Sequence, residues 1–330
     1  MQLLNDFMKI IQAPDFVQPY IHFFASEKEM QLVVLLNDQK LTGPEIAALL
    51  QEPYEDVKFF LEQAYQRHIV NRTKKDGAAV YSVSDFYKRL DSHSLYGNYY
   101  VIPKKVRNKL DEWCFDEYLR RHEYFSKVIN SEPEYDNCHN DWVLLLNEVE
   151  DMVDASSKIR VVPCNCKMMA DNCAYSREIC IFFDDNIDDR TIGRDLTKEV
   201  AKDLVHKLDK EGLMHTGGPH NWQEKGPGVV CNCCSCCCYP FRAAKKLGTK
   251  GKWPKSRYVA KYDAEKCRSC GLCVKRCHFN AFYLDGTETE KDGKLKPNIA
   301  FNSELCWGCG LCANSCPSKA ITIEKLAGTM

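Results

Sequence analysis

The chain has 330 residues and 20 cysteines, eight of which fall into two runs. The first reads Cys267-x2-Cys270-x2-Cys273-x3-Cys277, the second Cys306-x2-Cys309-x2-Cys312-x3-Cys316-Pro317. Thiolates at this spacing suit a [4Fe–4S] cube. The C-x2-C-x2-C loop wraps one cube, and the x3 turn carries the fourth sulfur away to a neighbouring cube. On that rule Cys267, Cys270, Cys273 and Cys316 hold one cluster, and Cys306, Cys309, Cys312 and Cys277 hold the other. Zinc knuckles would use two C-x2-C pairs, which two successive four-cysteine runs ending in x3 do not fit. The chemistry expected of such sites is one-electron transfer.

A second set of thiols lies upstream: Cys164, Cys166, Cys173, Cys180, and Cys231, Cys233, Cys234, Cys236, Cys237 and Cys238. These ten occupy 75 residues without cube spacing, and all are candidate metal ligands. If residues 231–238 are extended, alternation points Cys231, Cys233 and Cys237 one way and Cys234, Cys236 and Cys238 the other. Neither triplet completes a cube alone, so the first segment must contribute. Soft thiolates select iron–sulfur, zinc or Cu(I). The presence of two cubes in the same chain favours at least one further iron–sulfur cluster, with a zinc site or redox thiols as the competing readings. His215 and His220 lie in a Gly/Pro-rich loop, either as turn residues or as ligands or proton donors at a substrate site. Cys114 and Cys138 stand alone and read as inert thiols.

The elements that must position these residues are legible in outline. Glu27–Leu36 reads as a helix, Thr42 caps a second with Pro44 in its first turn, and Pro53 opens a third. Two apolar runs flanking Asp76-Gly77 predict a hairpin. Helices are expected over 103–130 and Trp142–Val153, a strand over Ile159–Val162, and a helix over Thr197–Glu211 closed by Gly212. Residues 239–262 carry eight Lys/Arg and no acid, a surface for an acidic redox protein or a counter-charge to anionic clusters.

Formal net charge is −1, and the cysteines are too many and too clustered for a small secreted disulfide scaffold. The N-terminus lacks a basic and apolar leader, and no run approaches a membrane span. A cytoplasmic protein of an anaerobe is expected.

From Tyr258 onward the chain resembles the dicluster bacterial ferredoxins, over about 70 residues and on the strength of its eight cysteines. The resemblance implies a βαββαβ unit with strands at Tyr258–Tyr262, Ala281–Leu284, Ile299–Phe301 and Ile321–Glu324. Family members carry proline after both fourth cysteines, whereas His278 follows Cys277 here, and Asp285–Lys296 reads as an inserted hairpin. The motifs Val-Pro-Cys-Asn-Cys and Val-Cys-Asn-Cys-Cys-Ser-Cys-Cys-Cys are similar to a Cys-rich module of poorly characterised iron–sulfur proteins of strict anaerobes. The three helices and hairpin near the N-terminus resemble a winged helix. Residues 1–100 hold 10 Lys/Arg against 13 Asp/Glu, and Glu52, Glu55 and Asp56 sit where a reader helix needs cations, so DNA binding is disfavoured.

The expected organisation is a multidomain α+β chain. A winged-helix-like domain spans 1–100, a helical connector 101–158, a Cys-rich module 159–256 and a dicluster ferredoxin domain 257–330. The expected function is electron transfer through two [4Fe–4S] clusters and a further centre, as a subunit or partner of a larger oxidoreductase rather than a free-standing enzyme. The N-terminal domain would mediate assembly with a second copy or a larger complex. The alternatives are a reductase with a substrate site at the middle cluster, and a redox-responsive winged-helix regulator.

Overall fold

The computed structural model describes residues 2–95, 99–129, 142–291 and 293–327, and Cys138 lies outside them. Helices and sheets are mixed along the chain in α+β fashion. Two compact units are distinguished: Met1–Glu117 with Met168–Ala170 and Arg190–Ile192, and Tyr118–Lys167 with Asp171–Asp189 and Gly193–Met330.

The first unit contains α1 (Gln2–Ile10), α2 (Glu27–Leu36), β1 (Leu41–Thr42), α3 (Gly43–Leu50), α4 (Tyr54–Gln66), β2 (Val70–Lys75), β3 (Ala78–Val83), α5 (Phe86–Leu95) and most of α6 (Lys104–Arg121). Two starts follow capping chemistry. The Ser26 and Thr42 backbone N–H groups donate to Glu29 and Glu45, each at 2.7 Å. The hairpin turns through Asp76 and Gly77, both at positive φ, and its strands join β1 in the order β1-β3-β2. Phe7, Leu32, Ile46, Val57, Leu61 and Phe86 are fully buried.

The second unit begins with α7 (Tyr124–Ile129). The single helix expected over 103–130 is thus two helices, because His122 Nδ1 donates to the Tyr118 carbonyl at 2.6 Å and ends the first. Next come β4 (Trp142–Leu144), α8 (Leu146–Ala155), β5 (Ile159–Pro163), α9 (Asn165–Ala170), β6 (Glu178–Phe183), β7 (Arg194–Asp195), α10 (Lys198–Glu211), β8 (Met214–Gly218), α11 (Trp222–Lys225), β9 (Val229–Cys233) and α12 (Tyr239–Leu247). The helix expected over Trp142–Val153 opens instead as a strand. Trp142, Val143 and Leu144 pair with Gly217, Thr216 and His215, and only then does Glu148 accept the Leu145 N–H to start α8.

Six antiparallel strands form one sheet in the order β4-β8-β9-β6-β5-β7. Alternate residues along a strand face opposite sides. On one side Val161, Ile181 and Val230 pack with Val149 and Val153 of α8 and Ala201 and Val205 of α10. On the other Met214 and Cys233 pack with Val143, Cys238 and Phe241. Helix α10 begins at Lys198, one residue after the expected start, with the Thr197 hydroxyl accepting the Val200 N–H as its cap, and is closed as expected by Gly212 at φ +101°.

The last part contains β10 (Tyr258–Tyr262), α13 (Leu272–Arg276), β11 (Phe282–Lys291), β12 (Lys294–Phe301), α14 (Leu311–Asn314) and β13 (Ile321–Lys325). Strand β10 pairs with β13 and β11 with β12, both antiparallel. The insertion expected at Asp285–Lys296 extends the β11–β12 hairpin past a bulge between Leu284 and Glu288. Among the described residues no helix is long and apolar enough to cross a membrane.

Strand β8 is buried at all five positions, and a Cβ on Gly217 would stand 2.7 Å from Leu144 Cδ1 and 2.9 Å from the Val229 carbonyl oxygen. Gly217→Ala is therefore expected to cost about 1–3 kcal/mol through overpacking. Amide exchange in β4 and β8 should quicken by at least roughly five-fold, while exchange in α10 stays unchanged.

Candidate metal centres

The dicluster segment is an internal repeat. Cys267, Cys270, Cys273 and Cys277 each have a counterpart 39 residues on, at Cys306, Cys309, Cys312 and Cys316. The backbone repeats with them: Ser269 and Gly308 lie at φ +55° and +65°, Gly271 and Gly310 at +74° and +79°. These left-handed turns aim amides at sulfur. Ser269 N–H and Gly308 N–H donate to Cys267 and Cys306 Sγ at 3.3 and 3.4 Å. Ala281 N–H and Ala320 N–H donate to Cys277 and Cys316 Sγ, both at 3.2 Å. Such bonds stabilise thiolate ligands and tune cluster potential.

Two cavities sort the eight sulfurs. One is walled by Cys267, Cys270, Cys273 and Cys316. The other is walled by Cys306, Cys309, Cys312 and Cys277. Each takes three thiols from one run and the fourth from the other, the partition expected from the spacing, and four soft donors around an apolar space fit a [4Fe–4S] cube. Burial pushes the Cys273 thiol up to about 11 and the Cys309 thiol up to about 12, so both need a cation beside them to ionise at neutral pH. The quartets differ in exposure: Cys270 is exposed, whereas Cys309 touches the cluster of Trp307, Leu311, Phe241 and Cys233.

The middle cysteines divide differently from the extended-chain expectation. Strand β9 ends at Cys233, residues 235–237 form a turn, and Pro240 stands in the first turn of α12. The turn moves Cys237 to the side of Cys234 and Cys236 and returns Cys238 to the side of Cys233. Cys173, Cys234, Cys236 and Cys237 bring all four sulfurs within 4.8 Å of one another. Cys173 Sγ lies 3.7 Å from Cys234 Sγ and 3.6 Å from Cys237 Sγ, and Cys236 Sγ lies 3.8 Å from Cys237 Sγ. Hydrogen bonding by Cys237 draws the Cys234 thiol down to about 4, assisted by the Lys167 charge, while burial pushes Cys236 up to about 12.

The other six form a string of interacting thiols: Cys166 with Cys164, Cys164 with Cys180, Cys180 with Cys231, Cys231 with Cys233, and Cys233 with Cys238. Pairing of β6 with β9 sets Cys180 opposite Cys231, and Cys238 Sγ approaches Cys233 Sγ to 3.1 Å. Bonds from Cys166 and Cys180 hold Cys164 well below the ordinary thiol range. Cys164 caps α9 and Cys238 caps α12, and helix N-termini favour thiolates.

Several contributing residues have no sequence motif. Lys167 is buried with Nζ lacking a hydrogen-bond acceptor. Burial opposes its charge, but the thiolates of Cys234, Cys173, Cys164 and Cys237 outweigh this and hold its pKa above the usual lysine value. Trp307 stacks on Phe279 at 5.0 Å and meets Phe241 edge-on at 5.1 Å, filling the space between Cys309 and Cys233/Cys238. Asp209, buried at the end of α10, pairs with Arg276 at 3.3 Å and accepts from Asn314 at 2.8 Å. Burial would raise its carboxyl; the His215 ring, the Asn314 bond and the Arg276 charge outweigh it and hold it below its usual value. His215 itself is fully buried, with Nδ1 donating to Asn232 Oδ1 at 2.6 Å, while His220 is half-buried beside Trp142. His278 bonds the Gly212 carbonyl at 2.7 Å. Cys114 is buried.

Residues 266–320 match the family of the 4Fe-4S dicluster domain. No curated protein and no solved structure matches the chain. This part of the chain is thus a metal-binding, ferredoxin-like iron–sulfur domain of the kind used in electron transfer.

A Cβ on Gly308 would stand 2.0 Å from the Tyr258 carbonyl oxygen at φ +65°. Gly308→Ala is expected to displace the Cys306 loop and remove about four irons per chain. Ser269→Ala, at the matching position of the first run, should retain them; iron analysis of both variants checks this. Asp209 yields a pH prediction. Its depressed pKa means that its stabilising contribution is present above the unfolded carboxylate value and is lost as pH falls through the folded one. Asp209→Asn should cost about 3 kcal/mol at pH 7 by removing the carboxylate that balances the Arg276 charge, leaving that guanidinium with the Lys210 and Asp209 carbonyls. The difference from wild type should close below about pH 4, read by urea unfolding with circular dichroism.

Proposed function

We propose that the chain relays single electrons through two [4Fe–4S] clusters and a further iron–sulfur cluster in the middle module, serving a larger oxidoreductase as subunit or partner. The observation that carries the reading is the pair of cavities, each walled by three cysteines of one run and the fourth of the other, inside the matched dicluster segment. When bound there, a [4Fe–4S] cluster supplies a one-electron couple at a potential set by its surroundings.

The chain's own residues supply those surroundings. Cys267, Cys270, Cys273 and Cys316 form the outward quartet, because Cys270 is exposed and within reach of a partner. Cys306, Cys309, Cys312 and Cys277 form the inward one. Phe241, Phe279 and Trp307 exclude water between the inward quartet and the six-thiol string, which the third centre would use. Lys245, Lys250 and Lys252 are exposed on and after α12, which supports an acidic redox protein as the partner of residues 239–262.

The remaining assignments rest on the same reading. The order β10-α13-β11-β12-α14-β13 and its strand pairing support the βαββαβ ferredoxin architecture for 257–330. Residues 159–256 would be the Cys-rich module and 101–158 a connector. Helices α2, α3 and α4 followed by the β2–β3 hairpin support a winged helix within 1–100. Glu55 and Asp56 at the exposed start of α4 favour protein assembly over DNA contact. The density of thiols calls for a reducing compartment, so we place the chain in the cytoplasm of an anaerobe. The burial of His215 argues against its use at a substrate site.

Iron and acid-labile sulfide on anaerobically purified protein, with EPR of the reduced sample, test the proposal. About twelve or more irons per chain are expected. Two ferredoxin-type S = 1/2 signals should survive in a Cys231→Ser/Cys233→Ser variant that loses a third. About eight irons and no third signal would confine electron transfer to the dicluster domain, and the absence of both ferredoxin signals would overturn the reading altogether.

A further inference from the structure

The four-thiol set in the middle module differs in kind from the two in the dicluster domain. The ferredoxin quartets wall two separate cavities, and among the described residues neither brings all four sulfurs within 4.8 Å of one another. Cys173, Cys234, Cys236 and Cys237 have their sulfurs within 4.8 Å of one another, with Cys173 3.7 Å from Cys234 and 3.6 Å from Cys237, and Cys236 3.8 Å from Cys237. Four thiolates bound tetrahedrally at about 2.3 Å from one zinc ion stand about 3.8 Å apart along each edge of the tetrahedron. On a cube each sulfur has its own corner iron, and inorganic sulfide separates the corners, so the cysteine sulfurs are held farther apart. The middle quartet has the dimensions of a single ion.

We propose that Cys173, Cys234, Cys236 and Cys237 bind one zinc ion, separate from the iron–sulfur centre that the other six middle thiols would serve. Four thiolates around one divalent ion leave a net charge of −2, and the neighbouring buried Lys167 has its Nζ without a hydrogen-bond acceptor of its own. Binding releases the thiol protons to solvent and involves no change of oxidation state.

The position in the chain gives the ion a purpose. Cys173 lies between Cys166 and Cys180, and Cys234, Cys236 and Cys237 lie between Cys233 and Cys238. The quartet is therefore nested within the six-thiol string in both segments that supply it. One ion there ties the loop before β6 to the turn after β9, reinforcing the Asn172 side-chain amide, which donates to the Cys236 carbonyl at 3.1 Å. Closing a loop of about 60 residues with metal–sulfur bonds favours the folded arrangement over the open chain. The site is a structural clip beside a redox site.

The test uses the full chain purified anaerobically. Metal analysis should find about one zinc per chain, and zinc-edge X-ray absorption should find four sulfur neighbours at about 2.3 Å. In Cys173→Ser/Cys237→Ser zinc should fall at least ten-fold, while the two ferredoxin-type EPR signals persist as proof that the rest of the chain has folded. Wild-type protein with no zinc, and none acquired on incubation with zinc chloride, would overturn the proposal. So would zinc bound through fewer than four sulfurs, or one iron without matching sulfide in its place. The wild-type measurements decide the matter even where the variant fails to fold. They are also independent of the electron-transfer reading, which stands or falls on iron, sulfide and EPR.

Discussion

Thiolates repel one another, and 18 of the 20 cysteines lie between Cys164 and Cys316. A buried thiol beside other thiols resists ionisation, as the raised values of Cys273 and Cys309 illustrate. Each group of sulfurs therefore needs positive charge or N–H donors built around it, and much of the second unit is arranged to provide them. Backbone amides reach Cys267, Cys277, Cys306 and Cys316. The N-termini of α9 and α12 carry Cys164 and Cys238. Lys167 stands among the four-thiol set without a competing acceptor.

This requirement also explains where glycine and positive φ occur in the dicluster segment. An amide can point at a sulfur two residues behind it only if the chain turns back sharply, which the left-handed conformation at Ser269, Gly271, Gly308 and Gly310 accomplishes. The 39-residue repeat is thus a repeat of backbone conformation as well as of cysteines. Its two copies are not equivalent in surroundings. One quartet has a thiol open to solvent, whereas the other backs onto aromatic rings and the middle sheet.

Local chemistry was legible in the sequence, and long-range pairing was not. Capping at Thr42, the Gly212 stop, the Asp76-Gly77 turn and the strand at Tyr258–Tyr262 follow from residues within one turn of each element. For the eight cysteines, loop length sets the expectation of which sulfur can reach which cube, and the two cavities are walled by the same groupings. Trp142–Leu144 misled because helical spacing of its apolar residues outweighed a strand partner more than 70 residues away, at His215–Gly217. Cys237 and Cys238 exchanged sides because alternation holds only while a strand continues, and Ser235 and Pro240 mark where it stops. A turn signal lay within that run, but the density of cysteines concealed it. The assignment of Lys167 to a charge-balancing role had no signal beyond its place next to Cys166.

Asp209 shows how the sheet and the dicluster segment are kept in register. Its carboxylate meets Arg276 and Asn314, which precede Cys277 by one residue and Cys316 by two. Those cysteines are the two that cross from one run to the other's cavity. Fixing the crossing points constrains both quartets at once, since a shift of either loop would move a sulfur in each cavity's wall. The same carboxylate lies 3.9 Å from His215 Nε2, and His215 bonds Asn232 between Cys231 and Cys233. A single buried acid thus links the crossing cysteines to the strand that carries the six-thiol string. Its lowered pKa keeps that carboxylate charged throughout the neutral range, so its pairing with Arg276 persists there.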